Sequence, residues 1–102
     1  IMIKFKLNGG EEVNLNLTVR AAMRYEKETG KHAFIQPILN VSTKSLGIEE
    51  CVDIIYCAYK NGGNTPVLDY ESFLDALPND FTEICNVAMD LISGAESDTS
   101  KN

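Results

Sequence analysis

Residues 2–7, Met-Ile-Lys-Phe-Lys-Leu, and residues 12–17, Glu-Val-Asn-Leu-Asn-Leu, alternate apolar and polar side chains. A period of two sets Ile3, Phe5 and Leu7 on one face of a first strand, and Val13, Leu15 and Leu17 on one face of a second. Asn8-Gly9-Gly10-Glu11 between them supplies the residues that a tight connection needs. The pattern predicts a β-hairpin with one buried face. A hairpin alone is marginal in water, so this one needs a packing partner from the rest of the chain.

Beyond residue 17 the period becomes helical. Thr18 reads as the cap of a helix over residues 19–29, with Val19, Ala22, Met23 and Tyr25 as apolar positions. Gly30 stops that helix, and Lys27 and Lys31 lie at its negative end. Residues 31–44 hold Phe34, Ile35, Pro37, Ile38, Leu39 and Val41 without a clean period. Pro37 argues there against an undisturbed helix, leaving a short helical turn or an irregular packed segment. Residues 46–60 restore the pattern: Ile48, Val52, Ile55 and Tyr59 form a stripe that Cys51, Ile54 and Ala58 widen. Glu49, Glu50 and Asp53 sit in its first turns, where the helix dipole favours negative charge. Asn61-Gly62-Gly63-Asn64-Thr65-Pro66 ends it.

Asp69 caps a short helix carrying Tyr70, Phe73, Leu74 and Leu77, which Pro78-Asn79 breaks. Asp80, with Glu83 three residues on, opens a last helix whose apolar face is Phe81, Ile84, Cys85, Ala88, Met89 and Ile92. Residues 94–102 read as a disordered polar tail. The predicted fold class is α+β, mainly α: an N-terminal β-hairpin followed by about four helices, in a single domain over residues 1–93.

A length of 102 residues with 44% hydrophobic and 24% charged content suits one modest core and excludes wholesale disorder. No apolar run approaches the roughly 20 residues of a membrane helix. Met2 reads as the natural start, without signal-peptide anatomy, which predicts a cytoplasmic protein with no membrane partner. Cys51, Cys57 and Cys85 form no disulfide framework. Cys51 and Cys57 stand about 240° apart around a helix and cannot share a metal from one face, and His32 is the lone histidine. The cysteines read as small buried apolar residues. Neither glycine-rich turn has the trailing Lys-Ser/Thr of a phosphate loop. No catalytic residue, metal or cofactor is expected.

Charge changes the picture more. Residues 1–47 hold seven Lys and Arg against four Glu, while residues 48–102 hold two Lys against eleven Asp and Glu. An acidic half disfavours nucleic acid and suits either a basic protein partner or a plain solvated surface. Glu49, Glu50 and Asp53, with Tyr56 and Tyr59 on the same helix, are the candidates for a protein-binding face. A solvated face for the carboxylates, and core positions with the hydroxyl at the edge for the tyrosines, are the plainer readings.

Three stretches carry a resemblance. The first helix ends Arg24-Tyr25-Glu26-Lys27-Glu28-Thr29-Gly30-Lys31. The second runs Ile48-Glu49-Glu50-Cys51-Val52-Asp53-Ile54-Ile55-Tyr56-Cys57-Ala58-Tyr59. Tyr70-Glu71-Ser72-Phe73-Leu74-Asp75-Ala76-Leu77-Pro78 and an amphipathic helix follow. In order, length and texture this resembles the tail assembly chaperones of long-tailed bacteriophages and prophages, over nearly all of residues 2–93. The resemblance implies a non-catalytic factor that coats the tape measure protein and helps recruit tail tube subunits. It implies action in the host cytoplasm and absence from the mature virion, and it leaves self-association open. It also implies that a −1 frameshift can append a second domain; Ser100-Lys101-Asn102 fits such a slippery site if the serine codon is TCA, and the plainer reading is that Lys-Asn merely ends a polar tail. A small acidic phage inhibitor that imitates phosphate charge, or a regulatory protein-binding module, is the alternative.

Overall fold

The computed structural model describes residues 2–31 and 47–93. The irregular stretch read over residues 31–44, apart from Lys31, and the polar tail of 94–102 lie outside the described residues. β1 (Met2–Lys6) and β2 (Glu12–Asn16) form an antiparallel pair in which Ile3 faces Leu15 and Phe5 faces Val13. Four helices follow among the described residues: α1 (Val19–Thr29), α2 (Ile48–Lys60), α3 (Tyr70–Ala76) and α4 (Phe81–Ile92). The α+β, mainly α class read from the sequence is the observed one.

Local chemistry sets each helix boundary. Thr18 Oγ1 accepts from the Ala21 N–H at 3.1 Å, Asp69 Oδ1 from the Ser72 N–H at 2.8 Å, and Asp80 Oδ1 from the Glu83 N–H at 3.1 Å. Each satisfies one of the donors that the first helical turn leaves open. Gly30 ends α1 at φ 76°, a left-handed conformation that costs glycine little. At α2 the cap is different: Gly47 has no side chain, and the Glu50 carboxylate reaches back to accept from the Gly47 N–H at 2.8 Å.

The core forms around α2. Every residue from Cys51 to Tyr59 is buried, so this helix is covered on all sides rather than along a stripe. It packs on β2, α1, α3 and α4, and Phe5, Leu7, Val13 and Leu15 of the hairpin join the same core. The buried face of the hairpin is the one its alternation predicts.

Two helices turn differently from the sequence reading. On α1, Ala21 and Tyr25 face the core, while Val19 and Met23 are 77% and 66% exposed. Val19 and Met23 lie about 200° from that pair around the axis. The small Ala21 lets α1 approach α2 closely enough for the Cys57 thiol to donate to the Ala21 carbonyl at 3.4 Å. On α4, Ile84, Ala88 and Leu91 are buried at i, i+4 and i+7, and Phe81 at the first turn is 76% exposed.

The Asn61–Asn64 turn does more than end α2. Asn64 Oδ1 accepts from the Asn14 N–H at 2.9 Å, and Asn64 Nδ2 donates to the Asn14 carbonyl at 2.9 Å and to the Tyr59 carbonyl at 2.9 Å. Asn61 Nδ2 donates to the Asn16 carbonyl at 2.8 Å. Side-chain amides thus occupy the free edge of β2 as a third strand would, which blunts an exposed edge. Gly62 permits the approach, because a Cβ there would collide with the Asn14 carbonyl oxygen.

Candidate functional site

The five residues read as a protein-binding face separate in the structure. Glu49 is exposed and pairs with Lys31 at 3.4 Å. Glu50 is half-buried and its carboxylate caps its own helix. Asp53, Tyr56 and Tyr59 are 2%, 7% and 1% exposed and belong to the interior. The face predicted from these residues is corrected accordingly: only Glu49, and in part Glu50, reach the surface. The cause is the all-round burial of α2, which a charged residue at position 53 obscures in the sequence.

Asp53 is held by donors from two sides. The Tyr25 hydroxyl donates to Asp53 Oδ1 at 2.8 Å from α1, and the Tyr70 hydroxyl donates to the same oxygen at 3.1 Å from α3. Lys31 Nζ lies 3.2 Å from Oδ2 and 3.4 Å from Oδ1, with its charge 5.5 Å from the Tyr70 ring centroid. A buried carboxylate is tolerated where paired charge and hydrogen bonds replace its water. The phenols record the same environment. Burial first, then the adjacent carboxylate, raises the Tyr25 hydroxyl well above its usual range and pushes Tyr70 up to about 12. For Lys31 burial acts downward, but the hydrogen bond and charge of Asp53 outweigh it and the net shift is upward.

Tyr56 and Tyr59 shape the segment between α2 and α3. The Tyr56 hydroxyl donates to the Leu68 carbonyl at 2.9 Å, and the Tyr59 hydroxyl accepts from the Leu68 N–H at 2.8 Å. Their rings pack with Phe73 at centroid distances of 5.2 and 4.6 Å. Both tyrosines are therefore scaffold, and the plainer reading of them is the observed one.

Two surface features remain. A cavity of about 260 Å³ opens between α1 and the last turn of α2, lined by Ala21, Arg24, Tyr25, Glu28, Cys57, Lys60 and Asn61. Lys60 Nζ crosses it, 3.7 Å from Glu28 and 5.5 and 5.9 Å from the Tyr56 and Tyr25 ring centroids. This volume falls below the usual small-molecule range and suits a single side chain. Burial pushes the Cys57 thiol at its floor up to about 12, which suppresses the thiolate that a nucleophile requires. The second feature is the outer face of α1, where Val19 and Met23 stand one turn apart among Arg20, Arg24 and Lys27. Neither feature follows from local pattern: the cavity joins residues about 36 positions apart, and the sequence marks Val19 and Met23 only as apolar helix positions, without saying which way they face. Among the described residues no group of three His, Cys, Asp or Glu side chains is placed to hold a metal, and no helix is long and apolar enough to cross a membrane. No family model, no curated protein and no solved structure matches the chain.

Proposed function

We propose that this chain is a non-catalytic tail assembly chaperone of a long-tailed phage or prophage, which binds the tape measure protein and helps recruit tail tube subunits. The reading rests on the sequence resemblance over residues 2–93. The observation that supports it best is the exposed apolar pair Val19 and Met23 on α1. Side chains at i and i+4 on one helix present a short apolar ridge, and the cations around it add charge contacts. A ridge of this kind suits a long, amphipathic helical client. Asp53 is enclosed and the Glu50 carboxylate is engaged in a cap, which leaves the α2 carboxylates poorly arranged to imitate a phosphate backbone. That favours the chaperone over the acidic inhibitor.

The test is a pull-down of the tape measure protein from the same genome. Val19→Glu with Met23→Glu on the outer face of α1 should weaken capture about 10-fold or more, as loss of a central apolar contact does. Glu49→Lys should leave it within about 2-fold, as expected of a rim charge. Capture that is indifferent to the double substitution while circular dichroism stays native would remove α1 as the contact face.

A further inference from the structure

Three thiols lie in the described residues, and only two of them meet. Cys51 Sγ on α2 lies 3.8 Å from Cys85 Sγ on α4, across 34 positions of chain. Cys57 is directed elsewhere, toward the Ala21 carbonyl. Cys51 is fully buried, whereas Cys85 is half-buried at the margin of α4. α2 and α4 pack along one another, with Ile84, Ala88 and Leu91 buried in the common core, so the two sulfurs are held together by the fold. An apolar contact would serve this position equally well with alanine or valine; two thiols in contact bring redox chemistry that those residues lack.

We infer that Cys85 is a site of reversible oxidation by hydroperoxides, and that Cys51 captures the oxidised sulfur as an intramolecular disulfide tying α2 to α4. In the first step the Cys85 sulfur attacks the outer oxygen of the hydroperoxide. The O–O bond breaks, Cys85 becomes a sulfenic acid, and the departing hydroxide or alkoxide takes up the Cys85 thiol proton to leave as water or an alcohol. In the second step the Cys51 sulfur attacks the Cys85 sulfur. The S–S bond forms, hydroxide leaves and takes up the Cys51 proton as water. The sulfurs must close from 3.8 Å to about 2.05 Å, a displacement that side-chain rotation and a small helix shift share. The division of roles follows from access. Cys85 is half-buried and within reach of a small hydroperoxide, whereas Cys51 is fully buried, so Cys51 meets only the sulfur beside it and resolves rather than attacks the oxidant. With a thiol already in contact, condensation outpaces further oxidation of the sulfenic acid.

Mass spectrometry of the intact chain tests this. After hydrogen peroxide treatment of the folded protein and alkylation of the remaining thiols in denaturant, the parent chain should have lost the mass of two hydrogens. One alkyl group should be found, on Cys57, and a Cys51–Cys85 linked peptide that dithiothreitol releases. Cys57→Ser should give the same link. Cys51→Ala should lose it and accumulate Cys85 sulfinic acid or dimers joined through Cys85. Cys85 oxidised to sulfinic acid in the parent chain while Cys51 remains alkylatable would overturn the proposal. So would a parent chain that forms only intermolecular disulfides, or a link that disappears in Cys57→Ser. The parent result stands on its own should either variant fold poorly.

Discussion

Replacing Asp53 by alanine would remove the acceptor shared by Tyr25, Tyr70 and Lys31, and the cost follows from their separate environments. The Lys31 ammonium is 39% exposed, so water screens its attraction to the carboxylate and that pair contributes at most about 1 kcal/mol. The Tyr25 hydroxyl is buried and donates to a charged oxygen at 2.8 Å; a bond of that kind is worth about 1.5–3 kcal/mol. Tyr70 is half-buried and its bond is longer at 3.1 Å, so its share lies near or below the lower end of that range. Against these stands the relief of a buried charge, which offsets part of the loss. The expected result for Asp53→Ala is a destabilisation of about 3 kcal/mol, seen in urea unfolding as a lower midpoint with an unchanged slope. Asp53→Asn keeps the shape and a neutral acceptor and should cost about half as much. The discriminating measurement is the double-mutant cycle with Tyr25→Phe, where a coupling of about 1–2 kcal/mol is expected. If Asp53→Ala lies within about 0.5 kcal/mol of the parent, or the cycle closes with no coupling, Asp53 does not join α1 and α3 to α2 in the way described.

Alkaline pH should expose the same network. A phenol whose folded pKa is raised stabilises the fold fully below its unfolded value of 10.0, and that stability is lost as pH rises through the folded value of about 12 for Tyr70, with Tyr25 and Tyr56 shifted the same way. Unfolding free energy should therefore fall from pH 10 upward, and the ultraviolet phenolate band should lag behind that of the urea-unfolded chain; phenols that ionise together with the unfolded chain would contradict this. Asn64→Ala strips both partners from the Asn14 peptide groups on the edge of β2 and should cost about 2 kcal/mol, with earlier amide exchange at Asn14. An unchanged exchange rate there would show that water replaces the side chain without loss.

Local signals carried most of the fold. The period-two runs put Phe5, Leu7, Val13 and Leu15 inside, and Thr18, Gly30, Asp69 and Asp80 marked helix boundaries that the structure keeps. These depend on a residue and its near neighbours, which the sequence displays directly. Tertiary choices were less legible. Ala21 won the core position on α1 because its small side chain allows close helix approach, a preference that hydrophobicity alone does not express. Asp53 looked like part of an acidic surface because the donors that enclose it come from positions 25, 31 and 70. The amides of Asn61 and Asn64 looked like turn residues, and their pairing with β2 spans 45 to 50 positions. The misses at Asp53 and at the two asparagines have the same origin: a polar group's partner lies far along the chain.

The most direct test of the assembly reading is the fate of the tape measure protein when it is produced with and without this chain. Co-expression should keep the tape measure protein in the supernatant, and size-exclusion chromatography with light scattering should show one complex containing both proteins. Val19→Glu with Met23→Glu should return the client to the pellet while the variant itself stays folded. Equal precipitation of the tape measure protein with and without the chain, and elution of the chain alone, would contradict the proposed function.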